Sequence, residues 1–451
     1  MNGKAFWRDP LRCSMLAVPQ GRGVFALCAG LCAAFAAAAL LMLRGTEGAA
    51  VIALTGTAAL FVLLWGLAQA LRGTDSPALV WLCATAGCML AVAAHLAMLD
   101  IAPGRYTKVL APMLDDMWNY ELITAVAWED DAWSGVYLLV CGLLSRLETF
   151  SQLYAIKLLD LFCQCLCGAA VVHLAKRRGA SPLACIGGML ACVLAPTMLL
   201  NAGCWAQCDA TFAMLTLWGL ALLLEERPLA GCVLWGLALG TKLQSAFLFP
   251  LLIVLFMNRR VSLRHLLALA AAFLLSQSAM LLDGQELTAV LGRYVQQLAN
   301  ARGSIGLADH APGVYSLMNV ASVREFSGMG LYLGIACALL VVWALLRRGH
   351  AQDDEALLLA ALLLAAGLPL VLPQMNARSL YLAGMLAFAL ADTPKRLAVA
   401  VVLEVVSLCS YMEAVFRMTV MPMSTLSLVA IGAATVIALE LVKRLKTPKA
   451  A

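Results

Sequence analysis

Four short stretches of the chain combine residue types that could do chemistry. Trp205-Ala206-Gln207-Cys208-Asp209 sets a carboxylate at the edge of an apolar block. An aspartate there costs about 2.5–3.5 kcal/mol to insert into a membrane, so it should be paired or line a wet cavity. Asp209 could also cap the following helix by satisfying its free N–H groups, and the two roles are compatible. Gly240-Thr241-Lys242-Leu243-Gln244 places a lysine between two short apolar stretches. That lysine either snorkels to water or holds an anionic phosphate as a point charge. Pro373-Gln374-Met375-Asn376-Ala377-Arg378 puts a guanidinium between two apolar blocks. It could grip phosphate oxygens as a bidentate fork or pair with lipid headgroups. Asp115-Asp116 is a doubled carboxylate that could serve as general base on an acceptor hydroxyl, or could simply be solvated.

Other chemistry-bearing residues give weaker signals. His310 stands alone in Asp309-His310-Ala311-Pro312-Gly313-Val314-Tyr315, and a lone histidine is more often structural than catalytic. Cys204 and Cys208 lie one helical turn apart, a spacing open to a disulfide or a metal. The other cysteines, such as Cys28, Cys32, Cys83, Cys88 and Cys232, sit in apolar blocks and read as small apolar fillers. Cys163, Cys165 and Cys167 recur every second residue, which scatters them around a helix. No HExxH, Walker or nucleophile-elbow pattern is present. The chemistry demands no cofactor, although the acidic segment could hold a divalent cation.

The elements that must carry these residues are membrane helices. Of the 451 residues, 63% are hydrophobic and 13% charged, with mean hydropathy +0.89. A soluble domain of this length needs far more polar surface. The apolar residues come in blocks of roughly twenty, the length a helix needs to cross a bilayer. They are continuous rather than alternating, which favours helices over a barrel. The expected fold is an all-α polytopic membrane protein of about fourteen spans. These fall near 23–43, 49–71, 78–99, 152–175, 181–201, 207–224, 229–241, 244–257, 262–282, 329–347, 355–373, 379–392, 396–411 and 422–442. The first block is too long for a signal-peptide core. With both termini cytoplasmic, twenty of the 31 Lys and Arg fall on the inside.

This alternation divides the chain into N-terminal spans (1–99), a first long outer segment (100–151), a central helical group (152–282), a second outer segment (283–328) and C-terminal spans (329–451). The stretch 135–147 is short and holds Arg146, so it should lie along the outer interface. The pair 229–241 and 244–257 should form a hairpin with Lys242 near the outer face. The first outer segment carries Asp100, Asp115, Asp116, Glu121, Glu129, Asp130 and Asp131 with Trp118, Tyr120, Trp128 and Trp133. Acids interleaved with aromatics suggest a folded, sugar-binding surface rather than disorder. Net charge is +5, with no basic run interleaved with aromatics, so nucleic acid is not an expected partner.

Several of these stretches together resemble one family. LNAGCWAQCDATF…RPLAGCVLWGLALGTKLQSAFLFPLL, up to Pro250, is similar to the W-G-Q-x-D…G-L-A-L-x-x-K-x-Q…P pattern of GT-C fold membrane glycosyltransferases. The nearest resemblance is to bacterial relatives of the PIG-V type GPI mannosyltransferases. The helix from Leu153, then Tyr294 and Gln297, His310 to Tyr315, and Leu372 to Arg378 resemble further family stretches in the same order, over about 95–415. Two positions depart. Arg105, in Pro103-Gly104-Arg105-Tyr106, stands where the family has Asp, and Asn376-Ala377 stand where it has His-Glu.

The resemblance implies a GT-C bundle in the plasma membrane, surrounded by membrane lipids. It implies transfer of a hexose, with mannose the family's sugar, from a polyprenyl-phosphate donor to an extracytoplasmic glycan, lipid or protein. It assigns the base to an acid in the first outer segment, here Asp115, Asp116 or Asp100. Substrate contacts would come from Arg105, Trp205, Gln207, Asp209, Lys242, Gln244, Tyr294, Gln297, His310, Tyr315, Gln374 and Arg378. Either one of those acids replaces the missing Asp, or this copy is catalytically weak. A non-catalytic carrier of lipid-linked sugar is thus the alternative. A transporter ranks lower, because buried acids such as Asp160, with Lys157 nearby, lie toward the outer end of a span.

Overall fold

The computed structural model describes residues 22–45, 48–74, 77–128, 134–148, 150–294, 308–318, 323–347 and 353–446. Among these, helices dominate, and the only strands are two dipeptides. Seven helices are long and apolar enough to cross a membrane; the bent pair Pro182–Leu194 and Pro196–Trp205, angled at 42°, makes an eighth. Shorter apolar helices stand at the remaining expected spans: Ala26–Met42, Asp209–Leu224, Pro228–Thr241, Leu243–Met257, Leu263–Leu275 and Tyr381–Leu390. Every apolar block singled out in the sequence is therefore helical.

The chain divides into two compact units, residues 1–242 with 268–290, and residues 243–267 with 291–451. The first is organised on the helix Gln152–Arg177, whose apolar stretch is 78% buried. Ala49–Leu71, Pro182–Leu194 and Asp209–Leu224 pack around it. Small residues set the close approach of Asp209–Leu224 to Pro228–Thr241. A methyl at Gly219 would sit 2.6 Å from the Trp235 indole nitrogen and 3.1 Å from the Gly231 carbonyl. Trp235 fills the space instead and donates to the Thr216 carbonyl at 3.0 Å.

The first long segment is folded where it is described. A π-helical turn, Tyr106–Leu110, leads into Ala111–Trp118, followed by Leu122–Trp128 and Gly135–Ser145. Leu114, Met117, Val126, Leu138 and Cys141 bury together with Leu153, Ile156, Ala206 and Met280 in one apolar cluster. Arg146 ties the layer down, donating to the carbonyls of Met117 at 2.7 Å and of Tyr120. Trp118 and Tyr120 remain exposed. Glu129, Asp130, Asp131 and Trp133 lie outside the described residues.

The second unit is organised on Asp354–Val371, whose apolar stretch is 72% buried. Val323–Arg347, Tyr381–Leu390 and Met423–Lys446 pack on it. Arg396 reaches Glu355 at 2.6 Å, Glu440 at 2.8 Å and Asp392 at 3.1 Å, while Arg444 holds Asp353 at 2.6 Å. The two strands, Ala308–Asp309 and Met375–Asn376, pair in parallel and so join two distant loops.

Candidate active site

In the first unit the chain is shaped to bury one carboxylate. Ala195 precedes a proline and is extended, which ends the helix Pro182–Leu194. The short helix Pro196–Leu199 then widens into a π-helical turn, Leu200–Trp205. Ala206 follows with φ 52°, a left-handed conformation that alanine seldom adopts. These irregularities fold Asn201 back over the start of the helix Asp209–Leu224.

Asp209 is fully buried, and both of its oxygens are engaged. Asn201 Nδ2 donates to Oδ2 at 2.7 Å, and Lys242 Nζ donates to Oδ1. The Lys242 ammonium also lies 5.0 Å from the centre of the Phe212 ring, within cation–π range. Cys208 occupies the N-cap position, so Asp209 does not itself cap the helix. Its charge instead sits in the first helical turn, where the macrodipole favours an anion. Lys242 leaves the helix Pro228–Thr241 in extended conformation and keeps 17% of its side chain accessible. It is therefore a paired cation rather than a lysine snorkelling freely to water. Gln207 is buried beside this pair in sequence and donates to the Trp205 carbonyl at 3.1 Å.

A second carboxylate lies close by. Asp160, on Gln152–Arg177, is 2% exposed, and its Oδ2 has no hydrogen-bond partner. It lines a small cavity with Tyr137, Cys141, Cys208, Thr211 and Thr241, among Val136, Val140, Leu144, Ile156 and Leu159. Cys208 and Thr211 flank Asp209 in the chain, and Thr241 precedes Lys242, so the cavity adjoins the ion pair. Ser134 Oγ donates to the Thr241 carbonyl and fixes that wall. Lys157, the sequence neighbour of Asp160, is not its partner. It donates to the carbonyls of Met98 and Ile101 at 2.6 Å each and of Leu99 at 3.1 Å.

Of the remaining candidates of this unit, Trp205 is half-buried and the acids and Arg105 are on its surface. Asp115 and Asp116 are exposed on Ala111–Trp118, and Arg105 is exposed at the start of the preceding turn. Burial, with a further contribution from the Asp115 charge, pushes the Tyr106 hydroxyl above its ordinary range. Asp100 is exposed and accepts a hydrogen bond from Tyr154. Cys204 and Cys208 are not joined in a disulfide. Among the described residues no three His, Cys, Asp or Glu side chains are grouped as metal ligands.

In the second unit the strand pair gathers another set. It sets Asp309 beside Asn376, with His310 and Gln374 at the adjoining positions. Both of those residues have positive φ, 53° and 61°. Tyr315 donates from its hydroxyl to the Val371 carbonyl at 2.8 Å. Arg378 is 8% exposed, and its backbone N–H donates to Asn376 Oδ1 at 3.1 Å. The carboxylate of Glu413 lies 3.2 Å from His310 Nδ1. Gln244 is half-buried and Tyr294 buried, whereas Gln297 lies outside the described residues.

Sequence reasoning singled out Asp209 and Lys242, which the fold brings together, and Gln207, whose side chain donates to the Trp205 carbonyl instead. It gave no role to Asn201, Phe212 or Glu413, and it saw Asp160 only as a neighbour of Lys157. The available signals were the amide and carboxylate set in otherwise apolar blocks, each costly unless satisfied.

Residues 134–373, more than half of the chain, match the model of glycosyltransferase family 87. No curated protein matches. The match spans Asp160, Asn201, Asp209 and Lys242, all of the buried polar constellation of the first unit. The chain therefore belongs to glycosyltransferase family 87 and is an integral membrane glycosyltransferase.

Proposed function

We propose that the protein is a GT-C type enzyme that transfers a hexose from a polyprenyl-phosphate donor to an extracytoplasmic glycan, lipid or protein. The likeness to PIG-V type enzymes makes mannose the first sugar to try. The observation that supports this reading most is the Asn201–Asp209–Lys242 constellation inside the matched region. A lysine held by a buried carboxylate beside a cavity is a pre-placed cation for a phosphate. Asp209 and Asn201 fix its position, so little reorganisation is needed as charge develops on the leaving group.

The reaction would be one displacement. The acceptor hydroxyl oxygen bonds to the anomeric carbon, and the bond from that carbon to the phosphate oxygen breaks. The electron pair leaves with the phosphate, and the hydroxyl proton passes to a carboxylate. Asp115 and Asp116 are our first choices for that base, being exposed on an ordered helix of the first outer segment; Asp100 is the third. Arg105, where the PIG-V type pattern has Asp, is the observation behind the carrier reading, which requires binding without turnover.

The test is transfer by Asp115→Asn, Asp116→Asn and Asp100→Asn beside the unaltered protein. Loss in one variant, with donor still bound, identifies the base. Equal transfer by all three would remove the first outer segment from catalysis.

A further inference from the structure

His310, a substrate contact by the resemblance, is linked in the second unit to Glu413 and Arg417, which the proposed reaction does not use. Glu413 and Arg417 are four residues apart at the end of the helix Pro394–Phe416, a spacing at which an acid and a base could pair directly. The His310 ring stands between them instead. Its Nδ1 lies 3.2 Å from Glu413 Oε1 and its Nε2 lies 3.3 Å from Arg417 NH1. A guanidinium only donates, so Nε2 must accept. Nδ1 then carries the proton and donates to Glu413, which fixes the tautomer.

The backbone is built around the same contact. His310 and Arg417 have φ 53° and 58°, both left-handed and both away from glycine. The loop behind His310 is anchored separately. Gly313 N–H donates to Ser427 Oγ at 2.9 Å, and Ser316 Oγ lies 2.5 Å from the same hydroxyl. Arg417 is the left-handed residue that closes the helix Pro394–Phe416, its N–H donating to the Glu413 carbonyl at 3.1 Å, so the position of its backbone is fixed.

The surroundings identify the ligand class. Arg417 lies between two membrane-spanning helices, Pro394–Phe416 and Met423–Lys446, so it sits at a membrane surface. Its neighbours Phe416, Met418, Val420 and Met421 are 44%, 55%, 60% and 37% exposed. An exposed apolar loop with one cation, between two spans, belongs at the headgroup level. Arg417 is itself exposed, so donors not used on His310 face that level.

We infer that Arg417, aimed by His310 and Glu413, is a binding site for a lipid-borne phosphate at the membrane surface. A guanidinium matches phosphate oxygens in a planar fork, and a fixed orientation reduces the ordering cost of binding. The inference stands on the second unit alone and does not require the proposed donor.

The test is lipid retention by the purified full chain, read by native mass spectrometry from detergent micelles. The probes are a polyprenyl phosphate, phosphatidylglycerol and inorganic phosphate. Arg417→Gln should weaken lipid binding about tenfold, the factor set by one charged contact. Arg417→Lys should recover part of it. His310→Ala should weaken binding, and His310→Gln, whose amide oxygen can still accept from Arg417, should weaken it less. Equal weakening for both lipids would support a general headgroup site. Weakening for the polyprenyl phosphate alone would support an isoprenoid-selective one. Wild-type retention of both lipids by a monodisperse Arg417→Gln protein would overturn the inference, as would binding of inorganic phosphate alone. Sugar transfer is a separate readout, so failure here leaves the proposed reaction untouched.

Discussion

Replacing Lys242 with methionine isolates the energetic role of the buried pair. The change keeps the length of the side chain and removes its charge. Asp209, 0% exposed, would keep the 2.7 Å donor from Asn201 but lose the cation that balances it. Breaking a buried pair from one side costs about 3–5 kcal/mol, because the remaining charge is uncompensated. Asp209→Asn should cost less, about 1–3 kcal/mol, since Lys242 keeps 17% of its surface in reach of water and can turn outward. The double variant Asp209→Asn, Lys242→Met removes both charges and should be more stable than Lys242→Met alone. Equilibrium unfolding in mixed detergent micelles, followed by tryptophan fluorescence, measures all four proteins. A double variant whose loss equals the sum of the two single losses would refute a coupled pair. Loss of transfer in the double variant, once its fold is recovered, would then separate a role in phosphate binding from a role in stability.

Three further outcomes follow from the geometry. Asp160→Asn should fold at least as well as the unaltered protein, because it removes a buried carboxylate with an unpartnered oxygen; a large fall in Tm would show that the charge has a partner. Gly219→Ala should lower stability by about 1–3 kcal/mol, since the methyl would meet Trp235 and the Gly231 carbonyl; unfolding at the wild-type midpoint would contradict the close helix crossing. Asp353 is held below the ordinary carboxylate range, burial raising it but Arg444 and the Glu355 and Ala356 N–H groups lowering it more. A depressed folded pKa gives stability that is full above the unfolded value of 3.8 and lost as pH falls through the folded one. The fall in Tm below about pH 4 should therefore be smaller in Asp353→Asn, and parallel curves would exclude this contribution.

What the sequence reveals here depends on the range of the interaction. Membrane helices are dictated by local composition, so each apolar block is visible, down to the short stretch before Lys242. Asp209 and Lys242 are visible for a related reason: charges at the edges of apolar blocks need an explanation wherever the chain folds. Their pairing is not visible, because it depends on the bend at Pro196 and on the left-handed Ala206. Asn201 becomes a partner only through that bend. Asp160 and Lys157, three residues apart, invite pairing, yet Lys157 has three carbonyl acceptors from a distant segment and Asp160 faces a cavity. Glu413 and Arg417 suggest a direct helical pair, and only tertiary structure inserts His310 between them. Asp100, Asp115, Asp116, Arg105, Gln374 and Arg378 lie outside the family match. Their roles rest on the resemblance and on exposure or burial alone.

The central claim is transfer of a hexose from a polyprenyl-phosphate donor. Its most direct test is incubation of the purified protein in lipid with a panel of radiolabelled polyprenyl-phosphate hexoses and crude membrane acceptors. Polyprenyl phosphate release should match label incorporated into acceptor, for one hexose above the others. Binding of donors with neither release nor incorporation, for every hexose and acceptor extract, would contradict the account and favour a carrier of the same fold.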